Sequence, residues 1–411
     1  MSFWHDLPRP FFVLAPMEAV TDVVFRHVVA KAGAPDLFFT EFTNATGWAH
    51  AGDKAIGMRL IKTDDEEPIV AQIWGAVPDD IAKLATHCKT LGFHGIDINM
   101  GCPDASAIKA GGGAAMIRTP ELASEVIAAA KTAGLPVSVK TRLGYTSTDE
   151  WRSWLTHLLQ QDIVNLTIHL RTKKEMSKVP AHFELIPEII TLRDEIAPGT
   201  LLTINGDIEN RAEGLELAAK YPGIDGIMIG RGVFHDPFCF VPSKFALSST
   251  EFSKTASRPT SIEPSSVSDG AADVLENSLT SGSTSINVQA RVTSGGAAPA
   301  FEEVSDSSKE GADQAAGPET VTYVASTPQA SAGNDGNGIE QTRLIELLHY
   351  HLDLHDQWDT PEHPRKFDPL KRFFKVYVHS FDGAAELRDK LMHTKNTAEV
   401  RAVLRDWSQK A

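Results

Sequence analysis

Eight short apolar runs punctuate residues 1–242, and the stretches between them carry a helical pattern. The runs are FFVLAPM, LFFTEF, IVAQIWG, GIDINMG, PVSVKTRLG, NLTIHLRT, LLTINGDI and GIMIGRG. Each has the length and composition of a buried strand. The segments between them, such as PDDIAKLATHCKTLGF, TPELASEVIAAAKTAG and NRAEGLELAAKYPG, place apolar residues at helical spacing. The second of these opens on Thr119 and Pro120, a cap followed by proline at the first helical position, and closes at Gly134. Strand–helix alternation repeated eight times over about 240 residues predicts an α/β fold of the (β/α)₈ TIM-barrel type, which typically takes about 250 residues. An open doubly wound sheet is the competing architecture. It needs fewer strands and puts its phosphate-binding glycines after the first strand, where this chain reads EAVTD.

The pattern stops near residue 242. Residues 243–340 are dominated by Ser, Thr, Gly and Ala, carry 5 Lys/Arg against 13 Asp/Glu, and show no period. Such a segment buries too little apolar surface to offset its ordering entropy and reads as a disordered, low-complexity insertion. Order returns in residues 341–411, where TRLIELLHYHLDLHDQW and the stretch from Asp368 to Trp407 suggest a small all-α C-terminal domain. That domain carries 12 Lys/Arg against 11 Asp/Glu in a chain of net charge −15, so it is the least acidic part and the better candidate for meeting phosphates. The N-terminus has one basic residue, Arg9, and no long apolar stretch, so no secretory signal is expected. No run is long enough to span a membrane. Three scattered cysteines, Cys88, Cys102 and Cys239, make no disulfide framework and suit a reducing compartment, with the cytoplasm as the expected location and a monomer as the expected state.

In a barrel of this kind, chemistry sits at the C-terminal ends of the strands. Polar residues gather there: the first run ends at Pro16–Met17, but Glu41 stands in the second, Gln72 in the third, Asn99 and Cys102 in the fourth. Lys140 and Arg142 follow in the fifth, His169 and Arg171 in the sixth, Asn205 and Gly206 in the seventh, Gly230 and Arg231 in the eighth. The glycine-rich ends INGDI and IGRG fit a phosphate cradle at the position barrels commonly use. Cys102 stands just past an apolar strand, between Gly101 and Pro103, which favours a reactive over a space-filling role. Cys88 and Cys239 read as packing. His351 and His355 are four apart on a helix, but no adjacent glutamate completes a zinc motif, so a solvated helix face is expected and no metal site. Lys371, Arg372 and Lys375 read equally well as a solvated face or as part of an RNA patch.

The motifs LAPMEAVTD, INMGCP with KAGGGAAM, VKTRLG, IHLRT, INGDI and IGRG resemble, in order and spacing, the flavin-dependent tRNA-dihydrouridine synthases. The resemblance covers the barrel and resumes in LKRFFKVYVHSFDGAAELRDKL, which is similar to the family's RNA-binding helical domain. It implies residues 1–242 as an FMN-binding catalytic barrel, residues 341–411 as a tRNA-binding domain, tRNA as partner and NADPH as reductant. It further implies that reduced FMN passes a hydride to C6 of a uracil while Cys102 protonates C5. On the same ground, Pro16, Met17, Gln72, Lys140, His169, Asn205, Gly206, Gly230 and Arg231 would hold FMN. Asn99, Lys109 and Arg171 would meet the RNA. After HLRT, where many members carry a glutamine and then an aromatic, this chain has Glu175 and Ser177. The competing readings are an FMN barrel reductase acting on a free small molecule and a non-catalytic RNA-binding relative.

Overall fold

The computed structural model describes residues 2–242 and 336–409, so most of the segment read as disordered lies outside the described residues. The strands are β1 (Phe11–Leu14), β2 (Phe38–Phe39), β3 (Thr43–Asn44), β4 (Ile69–Trp74), β5 (Gly95–Met100), β6 (Val137–Arg142), β7 (Asn165–His169), β8 (Leu201–Asn205) and β9 (Gly226–Ile229). They pair in the order β1-β9-β8-β7-β6-β5-β4-β2, and a parallel bridge from Val13 to Leu37 joins the two ends into a ring. β2 and β3 are two parts of one stave, since Phe38 pairs with Ile69 and Thr43 with Ile73. At the break between them the Thr40 hydroxyl accepts from the Gln72 N–H at 3.0 Å, doing the work of a missing ladder carbonyl. The result is the eight-stave barrel that the apolar runs imply.

Helices Val23–Gly33, Pro78–Thr90, Pro120–Lys131, Trp151–Leu159, Ile186–Ile196 and Arg211–Lys220 cover the outside. Proline opens three of them, at Pro78, Pro120 and Pro187, where a missing N–H costs nothing. Asp22 caps Val23–Gly33 by accepting from the Phe25 N–H. In Pro78–Thr90 the buried stripe is Ile81, Leu84, Ala85 and Cys88, whereas Arg211–Lys220 buries only Gly214. Cys88 and Cys239 are both buried, as packing residues should be. Trp4, packed edge-on against Phe11 at 5.8 Å, belongs to a cluster with Val13, Phe39, Val70 and Leu201 near the N-terminal ends of the staves.

The C-terminal helices are Gly336–Gln357, Phe374–Tyr377, Ala384–Met392 and Thr397–Ser408. They pack on the barrel directly, through an aromatic cluster in which Phe25 lies 4.8 Å from Phe373 and 6.1 Å from both Phe234 and His351, centroid to centroid. Burying one such phenylalanine contributes about 2 kcal/mol.

The expectation of a solvated face at His351 and His355 is overturned: both are buried, and His351 Nδ1 lies 2.7 Å from the Tyr377 hydroxyl. Their helix runs between Val23–Gly33 on one side and the shorter C-terminal helices on the other, so the histidine row faces protein. Burial pushes His351 down to about 3, which keeps the ring neutral. Among the described residues there is no group of His, Cys, Asp and Glu able to hold a metal, and no helix long and apolar enough to cross a membrane.

Candidate active site

β5 is buried along its whole length and ends in a turn that Asn99 builds. The Asn99 Oδ1 accepts from the N–H of Gly101 at 3.1 Å and of Cys102 at 2.9 Å. The glycine run that follows has a steric reason. Gly113 adopts φ +56°, and a Cβ there would stand 2.7 Å from the Cys102 carbonyl oxygen, which itself accepts from the Ala114 N–H at 2.9 Å. Glycine therefore lets the 113–118 turn close against the cysteine. The Cys102 thiol is partly exposed, and burial, helped by the charge of Asp104, pushes its pKa above the ordinary thiol range. It is a protonated thiol at neutral pH.

Behind the turn lies a polar layer inside the barrel. Gln72 donates to Asp97 at 2.7 Å, Ser138 donates to Asp97 at 2.6 Å, and Asn99 donates to the Gln72 carbonyl at 3.1 Å. Burial raises Asp97 to about 6, against the pull of those hydrogen bonds. Lys140 is the register partner of Asn99 on the neighbouring strand and reaches Asn205 Oδ1 at 3.3 Å. Asn205 in turn donates to the Met228 carbonyl at 2.9 Å, so the amide oxygen points at the lysine. Burial first, and Arg142 second, push Lys140 down to about 8.

Three cations and a neutral imidazole complete the mouth. His169 Nε2 lies 3.0 Å from Arg171 Nη1, an obligate donor, so this nitrogen accepts and the proton sits on Nδ1. Burial and the charges of Arg142, Lys140, Arg171 and Arg231 hold the His169 pKa well below the ordinary value. Arg171 is buried and also binds the Val179 carbonyl at 2.6 Å and the Asp207 carboxylate. Asp207 takes Arg231 on its other oxygen at 3.0 Å. Arg142 donates to the carbonyls of Gly101 at 2.8 Å, Thr172 at 3.1 Å and Met176 at 2.9 Å, stapling the Cys102 turn to the 172–176 loop. In that loop Glu175 accepts from the Thr172 N–H and lies 3.0 Å from His182 Nε2.

The other residues singled out by sequence sit on the rim. Pro16 is buried and Met17 half-buried after β1, with the Met17 N–H bonded to the Thr21 hydroxyl at 3.0 Å. Lys109 is exposed at the end of the short helix Ala105–Lys109. Gly206 has φ +120°, and a Cβ there would come within 3.2 Å of the His169 ring. Gly230 follows β9, and Arg231 is exposed. Cys102 feels the charges of Lys140 and Arg142, and His169 feels those same two cations, so strand ends β5, β6 and β7 share one site.

Sequence reasoning missed Asp97 and Asp207, and noted Glu41 without a role. A lone carboxylate inside an otherwise apolar strand, as in GIDINM, is the signal that finds Asp97. Glu41 is buried in the break of the second stave. Burial, followed by the charges of Asp22 and Glu18, raises it to about 7.

Chemically, the mouth suits an anionic ligand. Lys140 and Arg142 repel each other where little water screens them, and Arg142 is itself pushed down to about 10, first by burial and then by Arg171. An anion placed among them relieves that repulsion. Beside the mouth, a cavity of about 690 Å³ runs between the barrel and the C-terminal helices, lined by Arg231, Arg372, Lys375 and Arg388 with His235 and His379.

Comparison with known proteins fits this geometry. The family model for Dihydrouridine synthase (Dus) matches residues 13–288. The Probable tRNA-dihydrouridine synthase 2 of Bacillus subtilis (strain 168) is 47% identical over 410 residues, covering 100% of this chain and 97% of the relative. A Probable tRNA-dihydrouridine synthase of Staphylococcus aureus (strain COL) is 44% identical over 407 residues, covering 99% and 95%. With the family model spanning more than half the chain and such relatives aligned end to end, the chain belongs to the dihydrouridine synthase family.

Proposed function

We propose that this protein is a tRNA-dihydrouridine synthase that reduces the C5–C6 bond of uridine in tRNA. The observation that carries the reading is the pairing of a protonated Cys102 thiol with a mouth of cations and a neutral imidazole, on a chain whose full-length relatives bear that name.

FMN fits the donor set. Its phosphate suits the Gly206 and Gly230 turns with Asn205 and Arg231. Its electron-rich edge suits Lys140 and the His169 Nδ1–H. Pro16, Met17 and the second N–H of the Gln72 amide would border the ring. When bound and reduced by NADPH, FMN supplies the hydride that C6 of the uracil accepts. Cys102 then gives its proton to C5, and its raised pKa ensures that the proton is there to give. The second N–H of the Asn99 amide holds a uracil carbonyl. Arg171 has three of its N–H groups engaged by Val179, His169 and Asp207, so it meets the nucleotide with those left over. Lys109 and the basic cavity take the phosphates, and the target base leaves its stack to reach the thiol.

The test is dihydrouridine formation. Unmodified tRNA incubated with the protein, FMN and NADPH gains a nucleoside two hydrogens heavier than uridine at a defined position, read by mass spectrometry. Bound, reducible FMN with no such product in any tRNA, but turnover of a free enone, would replace this reading with a small-molecule reductase.

A further inference from the structure

The loop that joins β1 to helix Val23–Gly33 is gripped from two sides. From the barrel, Thr21 closes it on Met17 and Arg59 pairs with Glu18. From the C-terminal helical region, Arg372 donates to the Ala19 carbonyl at 2.9 Å and Arg365 pairs with Asp22. Ala19 has φ +55°, an unfavourable setting for a residue with a Cβ, so its conformation depends on these partners. Its carbonyl is held by the helical region, while its neighbours Glu18 and Asp22 pair with Arg59 and Arg365.

Arg372 also lines the basic cavity, and its guanidinium is exposed there. The opposite wall repeats the arrangement, since Arg231 lines the same cavity and connects through Asp207 and Arg171 to His169. A phosphate entering the cavity therefore meets two cations whose other partners are parts of the active site. The Arg372 guanidinium donates from Nε to the Pro369 carbonyl and from Nη1 to the Ala19 carbonyl, both at 2.9 Å. A phosphate that draws its remaining N–H groups into the cavity by a stronger, charge-assisted bond pulls Nη1 away from Ala19.

We infer that Arg372 is a positioning residue that couples occupancy of the basic cavity to the conformation of residues 16–22. The inference rests on the reading that this loop borders FMN and that the cavity receives RNA. Docked tRNA draws Arg372 toward phosphate, frees the Ala19 carbonyl, and resets the loop carrying Pro16 and Met17. By reciprocity, the loop conformation that FMN selects alters the affinity for tRNA by the same factor.

The test uses the full-length protein and its Arg372→Ala and Arg388→Ala variants. Arg388 lines the cavity but bonds the Val378 carbonyl rather than the loop. Amide hydrogen exchange is followed over residues 15–22, with and without unmodified tRNA, alongside FMN titration by flavin absorbance. In the wild type, tRNA changes exchange over 15–22. In Arg372→Ala, that peptide exchanges faster without tRNA, tRNA adds no further change, and FMN binds about fivefold more weakly. Arg388→Ala weakens tRNA binding yet leaves the peptide as in the wild type. Exchange over 15–22 that is identical in Arg372→Ala and wild type, or unmoved by bound tRNA in the wild type, overturns the coupling. Failure of the wild type to take up FMN sinks the flavin reading instead, and the exchange measurement still decides the coupling.

Discussion

Asn99 holds Cys102: its side-chain oxygen accepts the cysteine N–H at 2.9 Å while its amide nitrogen anchors to Gln72 at 3.1 Å. The thiol proposed as proton donor thereby hangs from the polar layer inside the barrel rather than from a free loop. Asn99→Ala strands two N–H groups and the Gln72 carbonyl, so it is expected to cost about 1–3 kcal/mol in urea unfolding and to lower kcat more than FMN affinity. Unchanged turnover in a destabilised variant would show that the turn is fixed elsewhere.

Gly113→Ala tests the same turn sterically. The added methyl meets the Cys102 carbonyl at 2.7 Å on a left-handed backbone, and one of them must move. A displacement of about 1 Å at a reacting group costs about 100-fold in rate. The expected variant binds FMN like the wild type and reduces tRNA about 100-fold more slowly in single-turnover kinetics.

The thiol itself reports its environment. Because burial holds the Cys102 proton on, alkylation by iodoacetamide at pH 7 is expected to be slower than for a free cysteine, rising only on the alkaline side of its ordinary range. Mass spectrometry of the peptide carrying Cys102 after timed labelling gives the profile. Fast labelling at pH 6 would mean a thiolate and remove the acid role.

Glu41 sets a pH dependence on stability. Its folded pKa, about 7, lies above the ordinary 4.5, so the folded chain keeps a proton that the unfolded chain releases. That contribution is fully present below about 4.5 and is lost as pH rises through about 7. Glu41→Gln removes the loss. Its Tm relative to wild type is expected to climb between pH 5 and pH 8, and a pH-independent difference would contradict the assignment.

Lys375 and Arg388 carry the electrostatic part of the RNA reading. Replacing each by alanine is expected to make the plot of log affinity against log salt shallower by about one per cation removed. Filter binding of tRNA at several salt concentrations measures it.

The barrel was legible in the sequence because strand–helix alternation repeats eight times, and most of the runs carry a polar residue toward their ends, the first, FFVLAPM, excepted. The apolar runs marked all eight staves, yet nothing in LFFTEF announced that the second would break at residues 40–42, since Thr40 repairs the ladder with its side chain. His351 and His355 were misplaced for a different reason. A helix with partners on two sides has no solvated face at those positions, and spacing alone does not reveal the second partner. Asp207 was hidden because its importance lies in joining Arg171 to Arg231, two residues far from it in sequence.

The most direct measurement compares wild type with Cys102→Ala for bound flavin and for dihydrouridine formed in unmodified tRNA. The expected variant retains FMN and still accepts electrons from NADPH, but makes dihydrouridine at least about 100-fold more slowly, because only the proton for C5 is missing. A variant that forms dihydrouridine at the wild-type rate would contradict the account at its centre.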